Sequence, residues 1–139
     1  LLSDGRVLIT GGASDGKALA ATEIYDGGAF LPGPNLTAAR AGHTATVLAD
    51  GRILIVGGDA KGSIEILDAT AQNSQKVKAR LIASRAFHSA ELLESGSLLI
   101  VGGASKDGNS VLTGELLNLG TMEFSEVSRP LHSPRIRPV

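Results

Sequence analysis

One ten-residue pattern occurs three times in the chain, and this internal repeat limits the possible folds more than any other feature of the sequence. The copies are SDGRVLITGG at 3–12, ADGRILIVGG at 49–58 and ESGSLLIVGG at 94–103. The second glycines of the copies, at positions 12, 58 and 103, are 46 and 45 residues apart. A repeat of this length is typical of solenoids, propellers and arrays, in which each unit buries its apolar residues against its neighbours.

Two further motifs recur with nearly the same period. The first motif is ARAGH at 39–43, SRAFH at 84–88 and SRPLH at 128–132, and its histidines are 45 and 44 residues apart. The second is a five-residue segment with glutamate at its second position, and its copies are TEIYD at 22–26, IEILD at 64–68 and GELLN at 114–118. Because the motifs recur in the same order, each unit is expected to fold in the same way.

The middle unit indicates what that fold is. HTATVLA alternates in polarity and predicts a strand, Asp50-Gly51 predicts a hairpin turn, and RILIV predicts a strand that is buried on both faces. SIEILD predicts a third strand, and a weaker pattern at 74–79 indicates a fourth. Repeated units of four antiparallel strands are the blades of a β-propeller. We therefore predict an all-β fold of about three blades, with units at about 1–38, 39–83 and 84–127 and the start of a further unit at 128–139.

Composition supports this class and argues against several others. The 139 residues include 18 glycines and one methionine, which suits a β protein with many turns. A formal net charge of −1 argues against a nucleic-acid-binding surface, and no apolar run reaches the length that membrane insertion requires. Cysteine is absent, so neither disulfides nor thiolate chemistry is expected. The chain opens at Leu1 without a start methionine and is expected to be a piece of a longer protein.

These motifs resemble Kelch repeats of the type found in galactose oxidase-like bacterial propellers. The resemblance rests on the Asp-Gly turn, the apolar strand that ends in Gly-Gly, the glutamate strand and Arg-x-x-His, and it covers nearly the whole chain. It implies a Kelch-type propeller and favours a secreted or cell-surface protein. The family usually has a tryptophan near the last strand of each blade. This chain has none, and Phe30 and Phe124 are the candidates to replace it.

Residues that recur at the same place in each unit are expected to serve the scaffold, whereas residues that occur once are available to serve a ligand. The recurring residues are Gly11, Gly12, Gly57, Gly58, Gly102, Gly103, Arg40, Arg85, Arg129, His43, His88 and His132. Equivalent positions in successive blades are spread around a ring, whereas metal ligands must converge within about 2 Å of one ion. We therefore expect no metal site at these histidines, and no cofactor.

The recurring glutamates invite a catalytic interpretation, because paired carboxylates perform acid and base catalysis in glycosidases. The same argument from the ring disfavours it. Glu23, Glu65 and Glu115 are instead expected to accept hydrogen bonds between neighbouring strands or blades.

Binding is expected on the face that carries the connections from the second to the third strand of each unit. These connections place 10, 6 and 11 residues between the glycine pair and the glutamate, and variable loops on a rigid scaffold commonly bind partners. The candidate residues are Asp15, Lys17, Asp59, Lys61, Lys106, Asp107 and Asn109. The alternative is that these are ordinary solvated turn residues.

Two functions remain open at this point. The first is a noncatalytic scaffold whose loop face binds a protein partner or a glycan. The second is a part of a carbohydrate-active or galactose oxidase-like enzyme whose active site lies largely outside this segment. The copper site that the resemblance implies needs a cysteine and two tyrosines, and this chain has only Tyr25. Because propellers close with roughly four to eight blades, further blades are expected from the same chain or from another copy.

Overall fold

The computed structural model describes residues 1–136, which form thirteen β-strands and no helix. The predicted all-β class is confirmed. The strands are β1 (Val7–Thr10), β2 (Ala13–Ser14), β3 (Lys17–Ala18), β4 (Thr22–Asp26), β5 (Ala29–Pro32), β6 (Thr44–Val47), β7 (Ile53–Val56), β8 (Ser63–Leu67), β9 (Ser74–Arg80), β10 (Ser89–Leu92), β11 (Ser97–Val101), β12 (Glu115–Asn118) and β13 (Glu123–Glu126).

Three antiparallel sheets follow one another along the chain, and each has the strand order of a propeller blade. The first blade is β1-β4-β5, the second is β6-β7-β8-β9 and the third is β10-β11-β12-β13, while β2 and β3 form a separate small hairpin. Each blade lies within one of the units that the sequence predicts. Within residues 1–136, the first blade has no strand equivalent to β6 or β10.

The strand β7 is apolar along its whole length because a neighbouring blade covers each of its faces. Side chains alternate between the two faces of a strand. Ile53 and Ile55 belong to one buried cluster with Ile24 of the first blade, whereas Leu54 belongs to a second cluster with Leu98 of the third blade. The core of the protein therefore lies between the blades, and a polar residue on either face of β7 would be buried.

The outer blades each leave one face uncovered. Val7 and Ile9 of β1 occupy the repeat positions of Ile53 and Ile55, yet they are 39% and 40% exposed, compared with 2% and 0% for the two isoleucines. The three blades thus form an open arc whose two ends are sheet faces, because the blades contact one another face to face.

The glycine pair at the end of β7 lies where three backbone segments meet. The Gly58 amide donates to the Arg85 carbonyl at 3.0 Å, and the Gly58 carbonyl accepts from the Ala41 amide at 3.0 Å. The φ angle of Gly58 is +75°, and a Cβ atom there would lie 2.7 Å from the His43 amide nitrogen. Glycine is therefore required both by the backbone conformation and by the close approach of the linkers.

The linkers between blades are held by the same backbone hydrogen bonds in each unit. The amides of Leu36, Leu81 and Leu131 donate at 2.7, 2.9 and 2.8 Å to the carbonyls three residues before the recurring glutamates, those of Ala20, Gly62 and Leu112. Four residues after each leucine comes an arginine whose carbonyl accepts from the second glycine of the preceding pair. These arginines are Arg40, Arg85 and Arg135.

The third linker thus differs from the register that the sequence motif predicts. The Gly103 amide donates to the Arg135 carbonyl at 2.7 Å, so Arg135 and not Arg129 occupies the position of Arg40 and Arg85. Both Arg129 and His132 are exposed. The third unit has 11 residues between its glycine pair and its glutamate, compared with 6 in the second unit, and this longer loop displaces the linker along the sequence.

Candidate functional site

A buried arginine joins the first linker to the third strand of the second blade. Arg40 Nη1 donates to the carbonyl oxygens of Gly57 at 2.5 Å and Ser63 at 3.2 Å, and Nη2 donates to Ser63 Oγ at 3.0 Å. Nη2 also forms an ion pair with the Glu65 carboxylate, and neither side chain is exposed to solvent. Through these contacts, Arg40 holds the first linker against the second blade.

The other oxygen of the same carboxylate is also occupied. Glu65 Oε2 accepts from the Thr37 amide of the linker at 2.6 Å and from Ser74 Oγ of β9 at 2.7 Å. With the arginine on Oε1, the carboxylate is held from both sides. Three of the roughly four acceptor sites of the carboxylate are therefore in use, and the side chain is fully buried, so a bound substrate has no access to it.

The third blade repeats the arrangement with different neighbours. Arg85 Nη2 lies 2.6 Å from Glu115 Oε1, and Nη1 donates to the Thr113 carbonyl at 2.6 Å. The amides of Ile82 and Ala83 donate to the Glu115 carboxylate at 2.7 and 3.0 Å. The recurring arginines and glutamates of these two blades therefore form matched buried pairs.

Within residues 1–136, the glutamate of the first blade and the arginine of the third linker do not form such a pair. Glu23 is at the equivalent position of the first blade but is exposed, and no arginine contacts it within residues 1–136. Arg135, at the equivalent linker position after the third blade, is exposed as well. Among the described residues, the arc thus has one glutamate without an arginine at one end and one arginine without a glutamate at the other.

The two linker histidines connect each blade to the one before it. His43 Nε2 lies 2.8 Å from Thr10 Oγ1 of the first blade, and His88 Nε2 lies 3.1 Å from Thr44 Oγ1 of the second. Burial lowers the pKa of His43, and burial followed by the charges of Arg85 and His43 lowers the pKa of His88 to about 4. Both imidazoles are therefore neutral at pH 7.

The connections that the sequence singled out for binding lie beside the linkers. They are the hairpin of β2 and β3, the short turn at 59–62 and the longer loop at 104–114. Ala104 exchanges two backbone hydrogen bonds of 2.9 Å with Ala86 of the linker, which fixes the start of the longer loop. The loops and the linkers consequently form one continuous face of the arc.

A shallow cleft of about 140 Å³ opens on this face between the second and third blades. Its walls are residues 58–60 and 104–106, and its floor is the linker at 84–86. Asp59 and Lys106 are the two sequence-predicted site residues that the structure brings together here. Ser84 and Ser105 also line the cleft, and neither was singled out by the sequence, because a lone serine in a turn carries no distinctive signal.

The Asp59 carboxylate is already hydrogen-bonded within its own turn. Its carboxylate accepts from the Ser63 amide at 2.7 Å and from Ser63 Oγ at 2.8 Å, and it lies 3.9 Å from Arg40 Nη1. Lys106 is exposed and is the cationic group that the cleft offers to a ligand. The cleft has room for a small polar group, such as one side chain or one hydroxyl-bearing ring edge, rather than for a whole substrate.

The remaining candidates are exposed and do not converge on the cleft. Asp15 lies at the tip of the β2–β3 hairpin with a φ angle of +50°, and Lys17 lies in β3 beside it. Lys61, Asp107 and Asn109 lie on the turn and the loop that flank the cleft.

Two partners of the buried arginines were missed by the sequence reasoning. Ser63 and Thr113 each precede the recurring glutamate by two residues, and their hydroxyl groups accept from the arginine side chains at 3.0 and 3.3 Å. A hydroxyl-bearing residue at the same distance before the glutamate in two units was a signal that could have found them.

The fold is similar to that of a solved fungal alcohol oxidase of the AA5 family in complex with copper, with a TM-score of 0.72 and 17% sequence identity. The similar region covers 94% of this chain and 29% of that chain, so this chain spans less than a third of the oxidase. At this identity the likeness shows the fold alone. No protein-family model matches the sequence, and no curated protein matches it significantly.

Within residues 1–136, no group of three or more histidine, cysteine, aspartate or glutamate side chains is arranged to hold a metal ion. The same part of the chain contains no helix long and apolar enough to cross a membrane. On the loop face, the described residues Lys61, Lys106 and Asp107 are exposed.

Proposed function

We propose that this chain is a noncatalytic propeller segment that presents its loop face to a protein partner or a glycan. The observation that carries the proposal is the division between the two sets of polar residues. The recurring arginines and glutamates of the second and third blades form buried ion pairs within the scaffold. Lys61, Lys106 and Asp107 are exposed on one face, beside the cleft.

The geometry of that face supports binding in a second way. The walls of the cleft are loops whose first residues are fixed by backbone hydrogen bonds to the linker. A loop that is held at its base loses less conformational entropy when it binds, and this favours affinity. Positively charged Lys106 at the cleft favours a partner that presents a carboxylate or several hydroxyl groups.

We further propose that the blades are Kelch repeats. The glycine pair, the buried arginine-glutamate pair and the linker histidine recur together in the second and third blades, at the motifs on which the sequence resemblance rests. Family membership is tested by the blades that complete the ring, whether from the same chain or from another copy, which on this proposal carry the same three features.

A second candidate function is a part of a copper-dependent alcohol oxidase. Likeness to the fungal AA5 enzyme favours it, although that likeness concerns the fold. The absence of cysteine and the single tyrosine, Tyr25, mean that a site of the kind the resemblance implies would need residues from outside this segment. Hydrogen peroxide release from primary alcohols, measured with copper(II) for this chain and for any longer protein that contains it, separates the two functions.

The binding proposal is tested with a fluorescently labelled chain on an array of immobilised oligosaccharides. The double variant Lys106→Ala/Asp107→Ala is expected to lose the signal, whereas Lys78→Ala, on the outer strand β9 away from the cleft, is expected to keep it. A photo-crosslinking residue at position 106 or 78 provides the same comparison for protein partners. Equal binding or crosslinking at the two positions would contradict the assignment of the loop face.

A further inference from the structure

We propose that two copies of this chain associate head to tail. The third blade of one copy packs against the first blade of the other, and the linker at 131–135 of one copy binds Glu23 of the other. This interface does not depend on the ligand of the loop face, and it is argued from contacts that the molecule already makes between its own blades.

The two uncovered blade faces are equivalent to the two sides of an interface that already exists between two blades of the chain. Between the second and third blades, the face with Leu54, Val56 and Ile66 packs against the face with Leu98, Ile100 and Leu117. On the third blade, the repeat positions equivalent to the first set are Leu99, Val101 and Leu116, which are partly exposed. On the first blade, the positions equivalent to the second set are Val7, Ile9 and Tyr25, which are exposed.

The polar groups at the two ends are complementary in the same register. In each internal interface the linker amide one residue after the leucine donates to the glutamate, as Thr37 does to Glu65. The arginine three residues later, here Arg40, forms the ion pair. In the third linker these positions are His132 and Arg135, both exposed.

Glu23 is the acceptor that fits this linker. It stands in β4 at the position of Glu65 in β8, and it is exposed without a contacting arginine in the part of the chain that the structure describes. Pairing Arg135 of one copy with Glu23 of the other would give the first blade the ion pair that the second and third blades contain. Opposite charges at these two sites favour a second copy over an unrelated apolar partner.

Two such contacts close the assembly. Each copy carries one face of each kind, so two arcs of three blades form a ring of six, within the roughly four to eight blades of known propellers. Head-to-tail interfaces form closed rings only when the rotation between copies closes, and otherwise they form open filaments. In the ring, the loop faces of both copies lie on the same side.

The test is sedimentation velocity on the 139-residue chain at micromolar concentration. We expect a mass twice the 14.2 kDa of one chain. Glu23→Arg and Arg135→Glu are each expected to produce monomer, and the double variant Glu23→Arg/Arg135→Glu is expected to restore the dimer because it exchanges the charges. Glu94→Arg, on an exposed hairpin turn at the opposite face, is the matched control and is expected to stay dimeric.

The fold of each variant is checked by its circular dichroism, so that loss of the dimer is not confused with unfolding. A monomeric wild-type chain would overturn the proposal and favour further blades of a longer chain as the occupant of both faces. Open filaments would overturn the closed ring. A dimer that survives Glu23→Arg, or a double variant that stays monomeric, would overturn the pairing of Glu23 with Arg135.

Discussion

Arg85 Nη2 and Glu115 Oε1 lie 2.6 Å apart in the third blade, where neither side chain has appreciable contact with solvent. Burying two charges is costly, and the cost is offset only when the geometry is good and the remaining donors and acceptors are satisfied. Here the Glu115 carboxylate also accepts from two linker amides, and Arg85 also donates to two carbonyls of its own blade. The pair therefore determines where the linker enters the blade.

Breaking the equivalent pair in the second blade should be strongly destabilising. Arg40→Met leaves Glu65 buried without its cation, and we expect a loss of about 3–5 kcal/mol in the free energy of unfolding. Arg52→Met is the matched control, because Arg52 also forms an ion pair, with Asp50 at 2.7 Å, but at half-exposed side chains. We expect the control to cost less than about 1 kcal/mol. Similar urea midpoints for the two variants would contradict the structural role of Arg40.

Substitution of glycine should be tolerated where there is space and not where the linkers cross. Gly16 and Gly57 have φ angles of +74° and +67°, so alanine is strained by about 1–2 kcal/mol at either position. Only at Gly57 would the added Cβ lie 2.7 Å from the Arg85 carbonyl and 2.8 Å from His88 Cε1. We expect Gly57→Ala to melt at a clearly lower temperature than Gly16→Ala. Equal melting temperatures would show that the backbone conformation alone decides the cost.

Stability should fall as the pH is lowered from 6.5 toward 4, because of His88. The pKa of His88 is lowered from 6.5 in the unfolded chain to about 4 by burial and by the charges of Arg85 and His43. Between these values the unfolded chain binds a proton that the native imidazole excludes, so the contribution is complete above pH 6.5 and is lost as the pH falls toward 4. The total is on the order of 3 kcal/mol. Urea unfolding at several pH values should give a shallower decline for His88→Gln, and an unchanged decline would assign the effect to other groups.

Residues of the loop face should be neutral for stability. Lys106 and Asp107 are exposed, and no hydrogen bond of their side chains is present within residues 1–136. Lys106→Ala and Asp107→Ala are therefore expected to change the free energy of unfolding by less than about 0.5 kcal/mol. Thermal melting measures this directly. A large loss of stability in either variant would mean that the loop belongs to the scaffold and would weaken the binding proposal.

The strands were predictable from the sequence because their signals are local. β7 is an uninterrupted apolar segment that ends at a glycine pair, and β6 alternates in polarity. Such patterns depend on residues within a few positions of one another, and three copies of each pattern reinforce the assignment. The same repetition predicted that the recurring arginines, glutamates and glycines occupy equivalent places, which holds for the two complete blades.

The candidate site was predictable only in part. The sequence indicated which loops vary in length, and the cleft lies among those loops. It did not indicate that Ser63 donates two hydrogen bonds to the Asp59 carboxylate, because those bonds depend on the conformation of the turn.

By itself the sequence determined the all-β class, the blade-like units and the positions of most strands, because short-range patterning of apolar residues and turns specifies them. Only the tertiary structure decided that Arg135 and not Arg129 continues the row of Arg40 and Arg85, since an insertion in a loop shifts the sequence spacing but not the backbone contacts of the linker. It also decided which apolar residues are covered. Val7 and Ile53 are β-branched apolar residues at equivalent repeat positions, and they differ in burial because a neighbouring blade covers only Ile53.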